Sequence, residues 1–563
     1  MFDGLASPPK SRRLVYLIAI APSLCSLWVI WQFSVNVPLL DEWVIARLLP
    51  QVQEGTATWF EWFRQFNEHR ILIPRLIIVT IAQLSGWNLR WESLVTWGLT
   101  ALIGLGLCQL ERSRNGLVLV ITHLLIFSFA QWENWLIGLY LKYLIPIACL
   151  VWGLWLTQKK LNLWLKAAAA GILSTIATFS IANGLLLWLL LFPNLFPTWA
   201  KLKQAKSVAI AWALGFMLHL YWYFGDYRSP YAAFDWFYPL THLPEVAHYL
   251  LVFLGAPWAF GTSLPPLAIA TLVGLVLGSG FTLAIFKLWQ SPHLWQPSLP
   301  WLTIALYSLT SGLVVAIGRI YSGVDQALTS RYSTFALYFM VGLLHLGALL
   351  WQSALQPWLK RLIGCGLGIS LVLHLQTAIA ATQIMTNLHT ERLQGKACLQ
   401  AINLLELEPC IQAHINPKPA MVKQRANRLA QAGFLPLLPT PVVAPSPPSP
   451  AHGQVEQWQQ ISDRTYKVSG WAVLPHRHRP ADALFLTYTN SQGEHILFDL
   501  ISPKLPRPDI AQAIGSAYLK CGWEKLIHLP HRSGQISAWS YDTEQLRFYL
   551  IANGQTLLEL MQR

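Results

Sequence analysis

Apolar runs of about 15–25 residues recur along most of this chain, broken by short polar stretches, and from about residue 454 they give way to short alternating runs. The clear apolar runs lie at roughly 14–34, 93–110, 117–130, 144–157, 166–181, 184–197, 207–224, 265–289, 301–317, 333–351 and 360–382. They predict about eleven membrane-spanning helices. Two further apolar stretches carry charge, 71–85 with Arg75 and 245–260 with Glu245 and His248, and read as interfacial or re-entrant helices. After the last run, 385–434 has mixed helical character, and "LPLLPTPVVAPSPPSPAHG" at 435–453 reads as a proline-stiffened linker. The alternation over 454–563, as in "TYKVSGWAVL" and "ALFLTYTN", predicts a small all-β sandwich. The expected fold is therefore a polytopic α-helical membrane protein with a C-terminal β-sandwich domain. Its membrane part covers 1–384, with a first outer loop at 35–92.

Composition agrees with the pattern. Of 563 residues, 54% are hydrophobic and 12% charged, about half the charged share of a soluble domain. The net charge of +14 comes from 40 Lys+Arg against 26 Asp+Glu, and the basic residues sit in short runs between apolar segments. With 71–85 and 245–260 kept out of the bilayer core, nearly every such run falls on one side: Lys10, Arg12 and Arg13; Arg112 and Arg114; Lys159, Lys160 and Lys166; Lys201, Lys203 and Lys206; Lys287; Lys360 and Arg361. The positive-inside rule then places the N-terminus in the cytoplasm and the C-terminal domain outside, in a plasma (inner) membrane. The basic balance needs no nucleic-acid partner. The N-terminal apolar segment, about 20 residues with no small-x-small cleavage site, reads as an uncleaved first helix. Seven cysteines show no zinc spacing; if the C-terminal region is extracytoplasmic, Cys398 and Cys410 could form a disulfide.

Polar residues cluster in the outer loops. "DEW" puts Asp41 and Glu42 just past the first span, and "FNEHR" puts Asn67, Glu68, His69 and Arg70 at the start of the 71–85 helix. A carboxylate in a partly dry cleft can take a proton from an attacking hydroxyl. An interfacial anchor explains Arg and Trp there but needs neither acid nor amide. "FAQWENWLIGLYLKYL" adds Glu133, Asn134 and Lys142, and "GRIYSGVDQALTSRY" adds Arg319, Asp325, Arg331 and Tyr332. Arginines at a lipid boundary beside hydroxyl donors suit a lipid-borne phosphate, while an ion pair of Asp325 with one of them is the competing reading. No phosphate-binding Gly-rich loop, metal-protease motif or nucleophile elbow is present, and "SIANGL" is too weak a pattern to use.

An acidic motif directly after the first helix, interfacial helices and about eleven spans resemble the GT-C superfamily of integral-membrane glycosyltransferases. "PLLDEWVIARLLPQVQEG", "FNEHRILIPRL", "QWENWLIG" and "GRIYSGVDQALTSRYSTF" look like a bacterial branch of that group. The resemblance implies transfer of a sugar, hexose or pentose, from a polyprenyl-phosphate carrier to a hydroxyl of a glycan, lipid or protein acceptor on the extracytoplasmic face, with inversion. It makes Asp41 the general base, with Glu42, Glu68 and His69 orienting hydroxyls and Arg70, Arg319 or Arg331 meeting the phosphate. Some relatives use a divalent metal; Asp41, Glu42 and Glu68 are possible oxygen ligands, though no dedicated metal site is evident. The alternatives are a lipid-linked glycan polymerase, ligase or flippase, or a solute transporter. The near-absence of charge inside the spans weighs against transport.

Overall fold

The computed structural model describes residues 9–111, 115–229, 238–353, 355–444, 447–462, 465–529 and 534–558. Arg112 and Arg114, used above to orient the helices, lie outside them. Among the described residues, eight helical stretches are long and apolar enough to cross a membrane: Leu89–Leu110, Gly116–Leu136, Gly138–Thr157, Lys206–Phe224, Pro266–Trp289, Pro292–Ser322, Ser330–Trp351 and Pro357–Gln400. The remaining expected spans are shorter apolar helices, Leu17–Phe33, Leu163–Thr178 and Ala182–Leu195. The last of these is interrupted, because Asn183-Gly184 open it as a tight 3-10 turn and Pro193 starts a new turn. The charged stretches form the helices Leu72–Ser85 and Leu243–Gly255, of 14 and 13 residues.

The chain divides into two compact units, one of Met1–Ser34 and Thr56–Thr386, the other of Val35–Gly55 and Asn387–Arg563. The division differs from the expected one. Residues 35–55, expected to belong to an outer loop of the membrane domain, are grouped with the C-terminal residues.

In the second unit, the "DEW" stretch is a short 3-10 turn, Leu40–Val44, and the Glu42 side chain reaches back to the backbone N–H that precedes it. Glu42 Oε2 accepts from the Leu39 N–H at 2.8 Å and lies 3.9 Å from Arg392 Nη2. Arg392 also donates to the carbonyls of Val37 at 2.9 Å and Val35 at 3.3 Å. Both side chains are almost fully buried, so the guanidinium and the carboxylate each offset part of the other's burial cost. Leu40 takes a positive φ of 47° and is held by the Ile415 carbonyl at 3.0 Å and the Asn416 amide at 3.1 Å. Cys398, near the end of the long helix Pro357–Gln400, is disulfide-bonded to Cys410 on the helix Glu408–His414.

The C-terminal strands form one nine-stranded sheet where two facing sheets were expected. After the two short strands of the first unit, β1 at Gln65–Phe66 and β2 at His69–Arg70, come β3 at Val442–Val443, β4 at Ser449–Ser462, β5 at Thr465–Leu474, β6 at Arg479–Pro480, β7 at Ala483–Thr489, β8 at His495–Ile501, β9 at Gly522–His528, β10 at Gly534–Asp542 and β11 at Arg547–Leu558; the order in the C-terminal sheet is β3-β8-β7-β10-β11-β4-β5-β6, with β9 also paired to β5. All neighbours are antiparallel except β11 and β4. Register shifts along β4 at Val455/Gln457 and Gln460/Ser462, and at Ser537/Trp539 and Leu486/Thr487, bend and coil the strands. The sheet therefore wraps one core, Val455, Val468, Leu484, Leu486, Trp523 and Ile551 among it, and Lys525 on β9 reaches Asp499 at 2.6 Å and the Leu500 carbonyl at 3.0 Å on β8. The expected linker is partly absorbed, since β3 and the start of β4 fall within 435–453.

Two outcomes are expected. In a variant keeping only Cys398 and Cys410, a maleimide–polyethylene glycol reagent adds to neither before reduction and to both after it. Arg392→Met leaves Glu42 buried without its cation and lowers stability by about 3–5 kcal/mol, read as a fall in Tm that Glu42→Gln partly restores.

Candidate active site

The Asn-Glu-His-Arg motif is the tip and return strand of a small hairpin in the first unit. β1, Gln65–Phe66, pairs with β2, His69–Arg70, so that Asn67 and Glu68 are the connecting residues. Asn67 has a φ of 48°, a left-handed conformation that Asn tolerates better than most residues. Its place at the exposed apex makes it a turn residue, and it does not line the cavity described below. Arg70 is 1% exposed and serves the backbone. Its Nε donates to the Tyr223 carbonyl at 2.8 Å and its Nη1 to that of Phe63 at 3.2 Å, while Nη2 pairs with Asp226. The expected phosphate ligand is thus spent on holding the hairpin. Arg75 does the same one turn later, donating to the carbonyls of Trp62 at 2.8 Å and Arg64 at 2.5 Å.

Glu68 and His69 turn inward onto a cavity of about 220 Å³. Arg319, at the end of the helix Trp295–Arg319, meets Glu68 Oε1 at 2.5 Å. Glu68 Oε2 is buried and has no hydrogen-bond partner among the described residues. The Glu68 carbonyl accepts from the Tyr223 hydroxyl at 3.0 Å. His69 Nδ1 accepts from the Ala182 N–H at 3.5 Å, which leaves the proton on Nε2, 3.7 Å from Glu68 Oε1. Burial acts to raise the Glu68 carboxyl, but the neighbouring His69 and Arg319 and the bonds it accepts outweigh burial and hold it below its usual range. Burial pushes His69 down to about 3, helped by Lys142 and Arg319 and opposed by Glu68. A neutral imidazole at pH 7 lends Glu68 no standing charge, so Arg319 is the lasting counter-ion.

Apolar and aromatic groups make up much of the remaining wall: Val314, Val315 and Ile317 of the Trp295–Arg319 helix, Phe224, and the rings of Tyr143, Tyr223, Tyr227 and Tyr332. The wall also includes Asn183, from the "SIANGL" stretch. Gly184 beside it admits no side chain, because a Cβ there would lie 1.9 Å from the Ala177 carbonyl oxygen.

A second ion pair adjoins through the tyrosines. Glu133 accepts from the Arg331 backbone N–H at 2.8 Å and from its guanidinium at 3.2 Å, and the Asn134 amide donates to the Arg331 carbonyl at 3.1 Å and to Thr334 at 2.6 Å. Lys142 is buried, its ammonium 5.0 Å from the Phe66 ring centre and 5.4 Å from that of Tyr143. Tyr143 packs edge-on against Tyr332 at 6.3 Å. Asp325 is exposed, and the arginines it was expected to meet are paired elsewhere, Arg319 with Glu68 and Arg331 with Glu133.

The cavity thus gathers Glu68, His69, Arg319 and Tyr332 from the expected residues and sets Arg331, Glu133 and Lys142 beside them. Asp41 and Glu42 belong to the second unit, where Glu42 has the capping and pairing contacts given above. Among the described residues no group of three or more His, Cys, Asp or Glu could hold a metal ion, and the suggested oxygen ligands Asp41, Glu42 and Glu68 are divided between the units. The aromatic wall and Asn183 were missed; only the Asn-Gly break in an apolar run hinted at the latter.

A histidine held neutral by burial carries a pH signature. The unfolded imidazole binds a proton near 6.5 and the folded one near 3, so stability is full above that window and falls as pH drops through it. The expected slope from this residue is at most about 1.4 kcal/mol per pH unit. Thermal unfolding of the detergent-solubilised protein between pH 7 and 4, about the span where the two states differ in bound protons, should show a shallower acid loss in His69→Gln than in wild type.

No protein-family model and no curated protein matches the chain. A solved structure, that of ArnT from Cupriavidus metallidurans in the apo state, is similar at 13% sequence identity and a TM-score of 0.28, covering 59% of this chain and 77% of that one. A likeness of that size carries no argument, and the functional reading rests on the cavity.

Proposed function

We propose that this protein is a membrane glycosyltransferase that takes a sugar from a polyprenyl-phosphate carrier and places it on an acceptor hydroxyl. The observation that carries the reading is Glu68: an ionised carboxylate with one oxygen on Arg319 and the other without a partner among the described residues, in a cavity walled by apolar helix residues and tyrosines. An amphiphile with an anionic headgroup suits those walls, its apolar part against Val314, Val315 and Ile317 and its phosphate toward Arg319. In the reaction the acceptor oxygen bonds to the anomeric carbon as the bond from that carbon to the phosphate oxygen breaks. The acceptor proton passes to Glu68 Oε2, and the lipid phosphate leaves with the bonding electrons from the opposite face, so configuration inverts. Arg319 offsets the charge that grows on the phosphate. Glu68 takes the proton-acceptor role that the sequence resemblance gave to Asp41, because Glu68 lines the cavity. The Cys398–Cys410 disulfide supports an oxidising, extracytoplasmic setting for the second unit.

The test is transfer from polyprenyl-phosphate sugars in reconstituted membranes. Glu68→Gln should lower the rate about 10²–10⁴-fold while the protein elutes as a single folded species. A folded Glu68→Gln protein that transfers at the wild-type rate would remove Glu68 from the mechanism. A larger loss in Asp41→Asn than in Glu68→Gln would return the proton to Asp41.

A further inference from the structure

Two polar atoms in the cavity-lining residues are buried without a hydrogen-bond partner among the described residues, Glu68 Oε2 and Asn183 Nδ2. Asn183 is 3% exposed, and a buried amide donor left unpaired is a cost that folding by itself gives no reason to carry. The backbone around it has no room to relax. Ala182 N–H is bonded to His69 Nδ1 at 3.5 Å, Gly184 N–H to the Ile181 carbonyl at 2.9 Å, and Gly184 sits against the Ala177 carbonyl too closely for any Cβ. Asn183 is thus fixed in the wall of the cavity that Glu68 also lines, with a donor to give.

We propose that Asn183 is a specificity-determining residue: its Nδ2–H donates to one ring hydroxyl oxygen of the donor sugar and selects sugars that carry a hydroxyl at that position. The inference rests on the glycosyl-transfer reading and deepens it. A neutral amide donor suits a neutral hydroxyl oxygen, whereas a headgroup phosphate suits the guanidinium of Arg319. Tyrosine rings in the wall supply flat apolar faces for the sugar's C–H surfaces. A site built to hydrogen-bond a hydroxyl rejects the analogue that lacks it, because the amide is then left buried and unpaired.

The experiment is equilibrium binding of polyprenyl-phosphate glucose, galactose and mannose, and of their singly deoxygenated analogues, to the detergent-solubilised full chain, with transfer measured in parallel. Wild type should bind one deoxy analogue about 10–100-fold more weakly than its parent. Asn183→Ala should weaken the parent by a similar factor and leave that analogue nearly unchanged, so the discrimination collapses. Asn183→Leu, which keeps about the side-chain size and offers neither donor nor acceptor, should also lose the discrimination and guards against a misfolded alanine variant. Discrimination that survives in both variants, or an equal loss for every donor as expected of a phosphate contact, overturns the proposal. Hydroxyl-dependent binding that is lost in the variants, without transfer by wild type, supports Asn183 and sinks the glycosyl-transfer reading instead. If no donor binds, both fall.

Discussion

A carboxylate inside an apolar body must be paired, and the Glu68–Arg319 contact is where this protein meets that demand at its cavity. Leaving either charge alone there would cost several kcal/mol. The pair joins the tip of a six-residue hairpin segment, Gln65–Arg70, to the end of a helix 251 residues later. Its geometry leaves one carboxylate oxygen without a partner among the described residues, and that spare acceptor separates a site from a structural bridge. The neutral His69 and the tyrosine at 223 then shape the pocket around it without adding opposing charge.

The other charged groups near the helix ends show the contrast. Arg70, Arg75 and Arg392 are buried and satisfy backbone carbonyls that turns would otherwise leave exposed to an apolar surrounding. Glu42 accepts from the Leu39 N–H and faces Arg392. On sequence these residues look as suited to chemistry as Glu68 does, since each is an ionisable side chain beside a hydrophobic run. They differ only in where their partners lie, and those partners come from segments far along the chain.

Legibility followed the same division. Long apolar runs were readable because a helix crossing lipid has to be apolar for its full length. The interrupted 182–195 segment reads as one run in hydropathy, yet Asn183-Gly184 and Pro193 break it into turns. Strand positions in the C-terminal region were readable from their alternation, but the count of sheets was not. The bulges at Val455/Gln457 and Ser537/Trp539 decide how far the sheet coils, and hydropathy does not record a bulge. Four of the cavity residues stood out as polar misfits; the tyrosines and aliphatic residues of its wall look like any other core positions until the helices are packed.

The sequence alone fixes the helical, lipid-suited class of the larger part, the strand-rich C-terminal region, and the short polar stretches between apolar runs in which an acid-base group could sit, because composition and periodicity answer directly to solvent. Only the tertiary structure decided which of those groups share a cavity. It placed Glu68 with Arg319 and Asn183, set Asp41 and Glu42 in the other unit, and gave Arg70 to the backbone. Pairing between charges distant in sequence depends on packing, and no local pattern encodes which partner a buried charge will find.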